Sequence, residues 1–184
     1  MTLLIRLART ADALNEWLGR GVAWLALLLV LTQFVVVVMR YVFGLGSVKM
    51  QESIVYMHAT IFMAAAGYTL LHNGHVRCDI FYSDASPTRR ALIDLFGVLV
   101  FLLPMCVLIG WVSWPYVTAA WAVREGSPEG SLGIPGVYLL KSVILLFALL
   151  VGLQGISLAI HSLLVLAGVE SDRGSADESE EPSL

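Results

Sequence analysis

A chain of 184 residues that is 58% hydrophobic and 14% charged, with a mean hydropathy of +0.82, is too apolar for an ordinary soluble domain and falls in the class of integral membrane proteins. The net charge is -3, much of the acidity sits in the last fifteen residues, and no basic block is interleaved with aromatics, which argues against a nucleic-acid partner. Two cysteines, Cys78 and Cys106, have neither metal-ligand spacing nor the pattern of a disulfide framework and read as free thiols.

In residues 1–20, Leu3, Leu7, Leu14 and Leu18 share a helical face while Arg6, Arg9, Asp12, Asn15 and Glu16 are polar. This predicts an N-terminal helix lying in the membrane interface with Trp17 at headgroup level, a frayed leader being the alternative. A first spanning helix is expected over about 21–43, closed by Arg40 near its outer end. Met39-Arg40-Tyr41 stands where a cleaved signal peptide would carry small residues, so this segment is expected to stay attached. The turn GLGSV, Gly44 to Val48, then leads into a second helix over about 50–72, making a tight antiparallel hairpin. Between Glu52 and His72 the only readily ionisable side chain is His58, and Ala59, Ala64, Ala65, Ala66 and Gly67 make the middle of this helix a surface for close packing.

The stretch HNGHVRCDIFYSDASPTRR, His72 to Arg90, is polar and reads as a loop outside the hydrocarbon. A third apolar run over about 92–123 exceeds a straight crossing; Pro104 and Pro115 can bend it, and Trp111, Trp114 and Trp121 suit the interface. A connector, REGSPEGSLGIP, leads to a fourth helix over about 136–167, in which Lys141 is expected to snorkel to the surface. Residues 21–168 thus form an all-α domain of four transmembrane helices, followed over 169–184 by an acidic tail expected to be disordered. The two hairpins share no motif, so the inverted repeat of a self-contained secondary transporter is missing.

If the N-terminus is cytoplasmic, Arg6, Arg9, Arg20, Arg77, Arg89, Arg90 and Arg173 lie inside, and Arg40, Lys49, Arg124 and Lys141 outside. Seven cations against four, or six against four without Arg173 in the tail, favour an N-in, C-in arrangement.

There is no phosphate-binding glycine loop, no nucleophile with a nearby base, and no HExxH or paired-cysteine ligand set, so no catalytic residue, cofactor or metal is assigned. His58 and His161, on different spanning helices, could in principle be haem ligands, but a histidine hydrogen-bonded at a helix interface is the commoner case. His72 and His75 lie near the loop, where solvation accounts for them. Glu52 opens the second helix, where the helix dipole favours a carboxylate, and Arg40 is its expected partner in an electrostatic clasp of the first hairpin. A contact with another subunit is the sharper reading of Glu52; a proton relay ranks third, because no second acid lies deeper.

The hairpin MRYVFGLGSVKMQESIVYMHATIFMAAAGYTLLHNGHVRCDIF resembles the small membrane subunit, the Q subunit, of tripartite ATP-independent periplasmic (TRAP) transporters. The resemblance lies in an R-Y-x-F ending, a short turn, a Glu opening the second helix, a small-residue middle and G-H-x-R-x-D at its inner end. SPEGSLGIPGVYLLKSVILLFALLVGLQGIS resembles that family's S-P-x-G-x-P opening of the fourth helix and its downstream L-Q-x-I. The likeness covers about residues 20–166.

What it implies is a non-catalytic subunit in the inner membrane of a bacterium, packed beside a large membrane subunit that carries the substrate and sodium sites and moves as an elevator. A periplasmic solute-binding protein delivers an organic acid. The matching motif residues Glu52, His75, Arg77 and Asp79, with Arg40 from the preceding helix, carry over as structural or interface residues. The outer loops Gly44 to Val48 and Arg124 to Ile134, with Lys49 and Arg124, are expected to meet the binding protein. The competing readings are a haem- or quinone-binding anchor of a respiratory enzyme and an unrelated small assembly or channel subunit.

Overall fold

The computed structural model describes residues 2–75 and 85–169, which are helical and contain no strand. Four helical spans are long and apolar enough to cross a membrane. The acidic tail, and with it the expectation of disorder, lies outside the described residues, as do Arg77, Cys78 and Asp79.

The first helix, α1, runs unbroken from Thr2 to Val42. The predicted division into an interfacial helix and a separate first span is therefore absent. Gly19 and Gly21 each cost a helix only about 1 kcal/mol relative to alanine, and no proline follows to stop it. Its 41 residues extend about 60 Å, twice a hydrocarbon core of about 30 Å. The surplus is spent on packing: Ala8, Ala11 and Asn15 are buried, whereas Leu7 and Leu14 of the expected apolar face stay exposed.

Gly44, at φ +65°, turns the chain, and the Ser47 hydroxyl accepts a hydrogen bond from Met50 N–H to cap α2, Val48–Leu71. The third span is composite: α3, Pro87–Gly97, passes through a π turn, Val98–Leu102, into α4, Leu103–Ala122. The irregularity falls just before Pro104, which has no N–H to offer the ladder; Leu103 N–H instead reaches back five residues to Val98 O. Pro115 is absorbed inside α4. Gly155 makes room for the π turn, since a Cβ there would overlap Leu102 and touch Val98 Cγ1 at 3.6 Å.

The last helix, α5, Val137–Leu166, is the spine. It packs against α1, α2, α3 and α4, and half of its most apolar window is buried, against 6% to 11% in the other spans. The α1–α2 hairpin lies on one side of α5 and the composite α3–α4 span on the other, so the molecule is an open helical layer with extensive apolar faces.

Candidate functional site

Two polar clusters hold this layer together, one toward each end of the spans. At the end where α2 and α5 begin, Glu52 sits in the second turn of α2, past the capped first turn. Its carboxylate accepts a hydrogen bond from Ser127 Oγ and another, at 2.6 Å, from the backbone N–H of Ile134. Both donors belong to the connector between α4 and α5. Gly133 is required beside them, because a Cβ there would overlap Ser127 Oγ and lie 2.7 Å from Glu52 Oε1. The expected clasp of Arg40 on Glu52 is replaced by this latch: Arg40 is exposed on α1, and Glu52 turns toward the second hairpin. A carboxylate satisfies two donors on a folded loop better than it would one mobile guanidinium, since charge-assisted bonds to fixed donors need less ordering.

Below the latch, Lys141 Nζ lies 2.5 Å from Glu125 Oε2 and 4.0 Å over the Tyr116 ring. The lysine expected to snorkel to the surface is held across the α4–α5 junction, with its side chain only 15% exposed. Trp121 Nε1 donates to Ser142 Oγ at 2.8 Å and packs edge-on against Tyr138. Arg124 takes the left-handed position, φ +46°, that ends α4: its N–H reaches Trp121 O at 3.2 Å and Glu125 N–H reaches Ala120 O at 2.9 Å. Arg124 and Lys49 are both exposed at this end.

For Glu52→Ala the expected result is a loosened connector. Ile134 N–H, now without its charged acceptor, should exchange with solvent deuterium roughly ten- to a hundredfold faster, corresponding to about 1.5–3 kcal/mol for a hydrogen bond to a charged group. Exchange at the parent rate would contradict the latch.

The second cluster joins α1 to α5 and α2. Asp12 Oδ1 accepts from Gln154 Nε2 at 2.9 Å and from Ser157 Oγ at 2.6 Å, and Asp12 Oδ2 lies 3.3 Å from His161 Nε2. Asn15 Nδ2 donates to Gln154 Oε1 at 2.8 Å and to Ala11 O at 3.2 Å. Asn15, Gln154 and Ser157 are fully buried. One turn along, Glu16 bridges Arg20 Nε at 2.7 Å and His72 Nε2 at 2.6 Å, tying α1 to the end of α2. Gly67 sits where α1, α2 and α5 converge: a Cβ there would overlap Asn15 Oδ1 and meet Leu150 O at 3.3 Å.

Of the residues singled out from sequence, Glu52 is joined to the connector, while Arg40, Lys49 and Arg124 stand exposed. His72 pairs with Glu16 and packs against Tyr68 with the rings tilted and their centroids 4.4 Å apart, so solvation alone does not account for it. His75 makes a long contact, 3.4 Å, to Ala66 O. The remaining motif residues, Arg77 and Asp79, are outside the described residues. The network around Asp12 was missed, although Gln154, Ser157 and His161 recur at i, i+3 and i+7 in an otherwise apolar helix, which is a legible stripe.

The two histidines of the haem reading are far apart. Tyr56 lies against Gly136 and Gly67 against Leu150. In that register His58 is level with about residue 140, roughly 20 residues or ~30 Å from His161 along α5, so the two do not share a haem. Among the described residues no group of three or more His, Cys, Asp or Glu is placed to hold a metal ion. A groove of about 610 Å³ lined by Val107, Gly110, Trp111, Trp114 and Pro115 is apolar.

Four helices long and apolar enough to cross a membrane, two polar clusters stapling them to one another, and wide apolar faces define a multi-pass membrane protein. Residues 12–165 match the family model described as tripartite ATP-independent periplasmic transporters, DctQ component, and the chain belongs to that family. It is a small membrane (Q) subunit of a TRAP transporter. Comparison with curated proteins and with solved structures returned no match.

Proposed function

We propose that this subunit is a non-catalytic, stationary scaffold. It stands N-in and C-in in the inner membrane of a bacterium beside a large membrane subunit, and a periplasmic binding protein delivers an organic acid whose import is coupled to a sodium gradient. The observation that carries this reading is the disposition of polar groups: among the described residues they gather in two clusters that close across helix junctions rather than converging on a pocket able to bind an anion and its coupling ion. A rigid layer with apolar faces enlarges the body against which a mobile transport domain slides.

The latch gives the outer connector a fixed shape, and exposed Lys49 and Arg124 flank it. Both cations are assigned to docking the binding protein. Lys49→Glu and Arg124→Glu are expected to raise the KM for solute presented on the binding protein about three- to tenfold, with a salt dependence weaker than that of the parent. Unchanged uptake kinetics in both variants would remove the docking assignment.

A further inference from the structure

At membrane depth on α2, the exposed His58 has no hydrogen-bond partner among the described residues. Gln51, Val55, His58 and Phe62 recur along α2 at i, i+4, i+7 and i+11, and all four are exposed. The opposite stripe, Tyr56, Thr60, Ala64 and Gly67, is the one turned toward α1 and α5, so the exposed stripe faces directly away from the rest of the layer. His58 lies about 15 Å along α2 from its first residue and well short of His72 at the other end, which places it within the hydrocarbon. Its ring stacks on Phe62 with centroids 6.5 Å apart, and no described residue hydrogen-bonds its nitrogens.

Acyl chains offer a histidine neither donor nor acceptor, and polar side chains inside a membrane accordingly face protein or a water-filled cavity. An exposed stripe of the composite third span makes the opposite demand. Phe101 of the π turn and Met105, Leu108 and Val112 of α4 are all more than half exposed and wholly apolar, which lipid satisfies. The two sides of the layer therefore require different surroundings.

We infer that the outward stripe of α2 is the face on which a membrane-spanning helix of the large transporter subunit packs, with His58 hydrogen-bonded to a polar group of that helix. The inference rests on the scaffold reading above. Farther along, the same stripe continues through Ala65 and Thr69, whose small side chains admit close backbone approach; the Thr69 hydroxyl is already satisfied by Ala65 O at 3.0 Å. A second copy of this chain fits less well. Two-fold packing on the stripe would set Phe62 against Phe62 at one depth, whereas a helix of different sequence can oppose Phe62 with a small residue and His58 with a polar one.

The test uses the assembled transporter in its native membrane. In a Cys78→Ser, Cys106→Ser background, Phe62→Cys and Leu108→Cys are each labelled with a benzophenone maleimide and irradiated. Position 62 is expected to give an adduct with the large subunit, and position 108 an adduct with lipid. His58→Leu is expected to lower the large subunit recovered in mild detergent about three- to tenfold, and His58→Gln, which keeps a hydrogen-bonding group, to lower it less. Adducts at position 62 with lipid or with a second copy only, or full recovery with His58→Leu, would overturn the inference. If the large subunit co-purifies but is captured from position 108, the inference fails and the scaffold reading stands. If it does not co-purify with the parent chain, both fall.

Discussion

Gly67→Ala is expected to destabilise the helical layer by about 1–3 kcal/mol, the cost of overpacking a closed site, even though alanine is the better helix former. The added methyl overlaps Asn15 Oδ1 and meets a backbone oxygen of α5 that cannot retreat. Relief requires Asn15 to swing away, which also breaks its 2.8 Å bond to Gln154. Gly21→Ala is the matched control: nothing lies within 4 Å of the added atom, so the change should be neutral or stabilise by up to about 1 kcal/mol through helix propensity. Equilibrium unfolding in mixed micelles measures both. Opposite signs are the expected result; equal effects would mean that the three-helix junction is not closely packed.

Gln154→Leu is the second large effect, about 2–4 kcal/mol in the same measurement, although leucine has a similar volume and suits a membrane helix. The amide serves two partners at once, donating to Asp12 and accepting from Asn15, and its loss leaves a carboxylate and an amide short of partners in a buried place. Because the network acts as a unit, Asn15→Leu added to Gln154→Leu should cost much less than the sum of the two single changes. Strict additivity would show that Asn15 and Gln154 do not share a bond.

The four spans were legible because long apolar runs bounded by charge and glycine admit few other readings; α2 and α5 begin and end within two residues of expectation. The division of α1 at residue 20 was misplaced because amphipathicity ends there while helix propensity does not, and only the docking of Ala8 and Asn15 on α5 shows why the helix continues. The π turn follows from Pro104, but local sequence does not distinguish a π turn from a kink; Gly155, more than fifty residues later, provides its seat. Glu52 was recognised and its partner was not. Proximity along the first hairpin pointed to Arg40, whereas the donors come from Ser127 and Ile134, a contact made only once α5 lies beside α2. Asp12 was read as part of a polar face for the same reason: Gln154, Ser157 and His161 lie more than 140 residues away in the chain.

The measurement that bears most directly on the scaffold role is a pull-down of this chain from its native membrane in mild detergent, with mass spectrometry of the partners and an absorbance spectrum of the eluate. A stoichiometric large multi-spanning subunit in a colourless sample is the predicted result. Redox-enzyme partners with a haem spectrum, or the chain recovered alone, would contradict it.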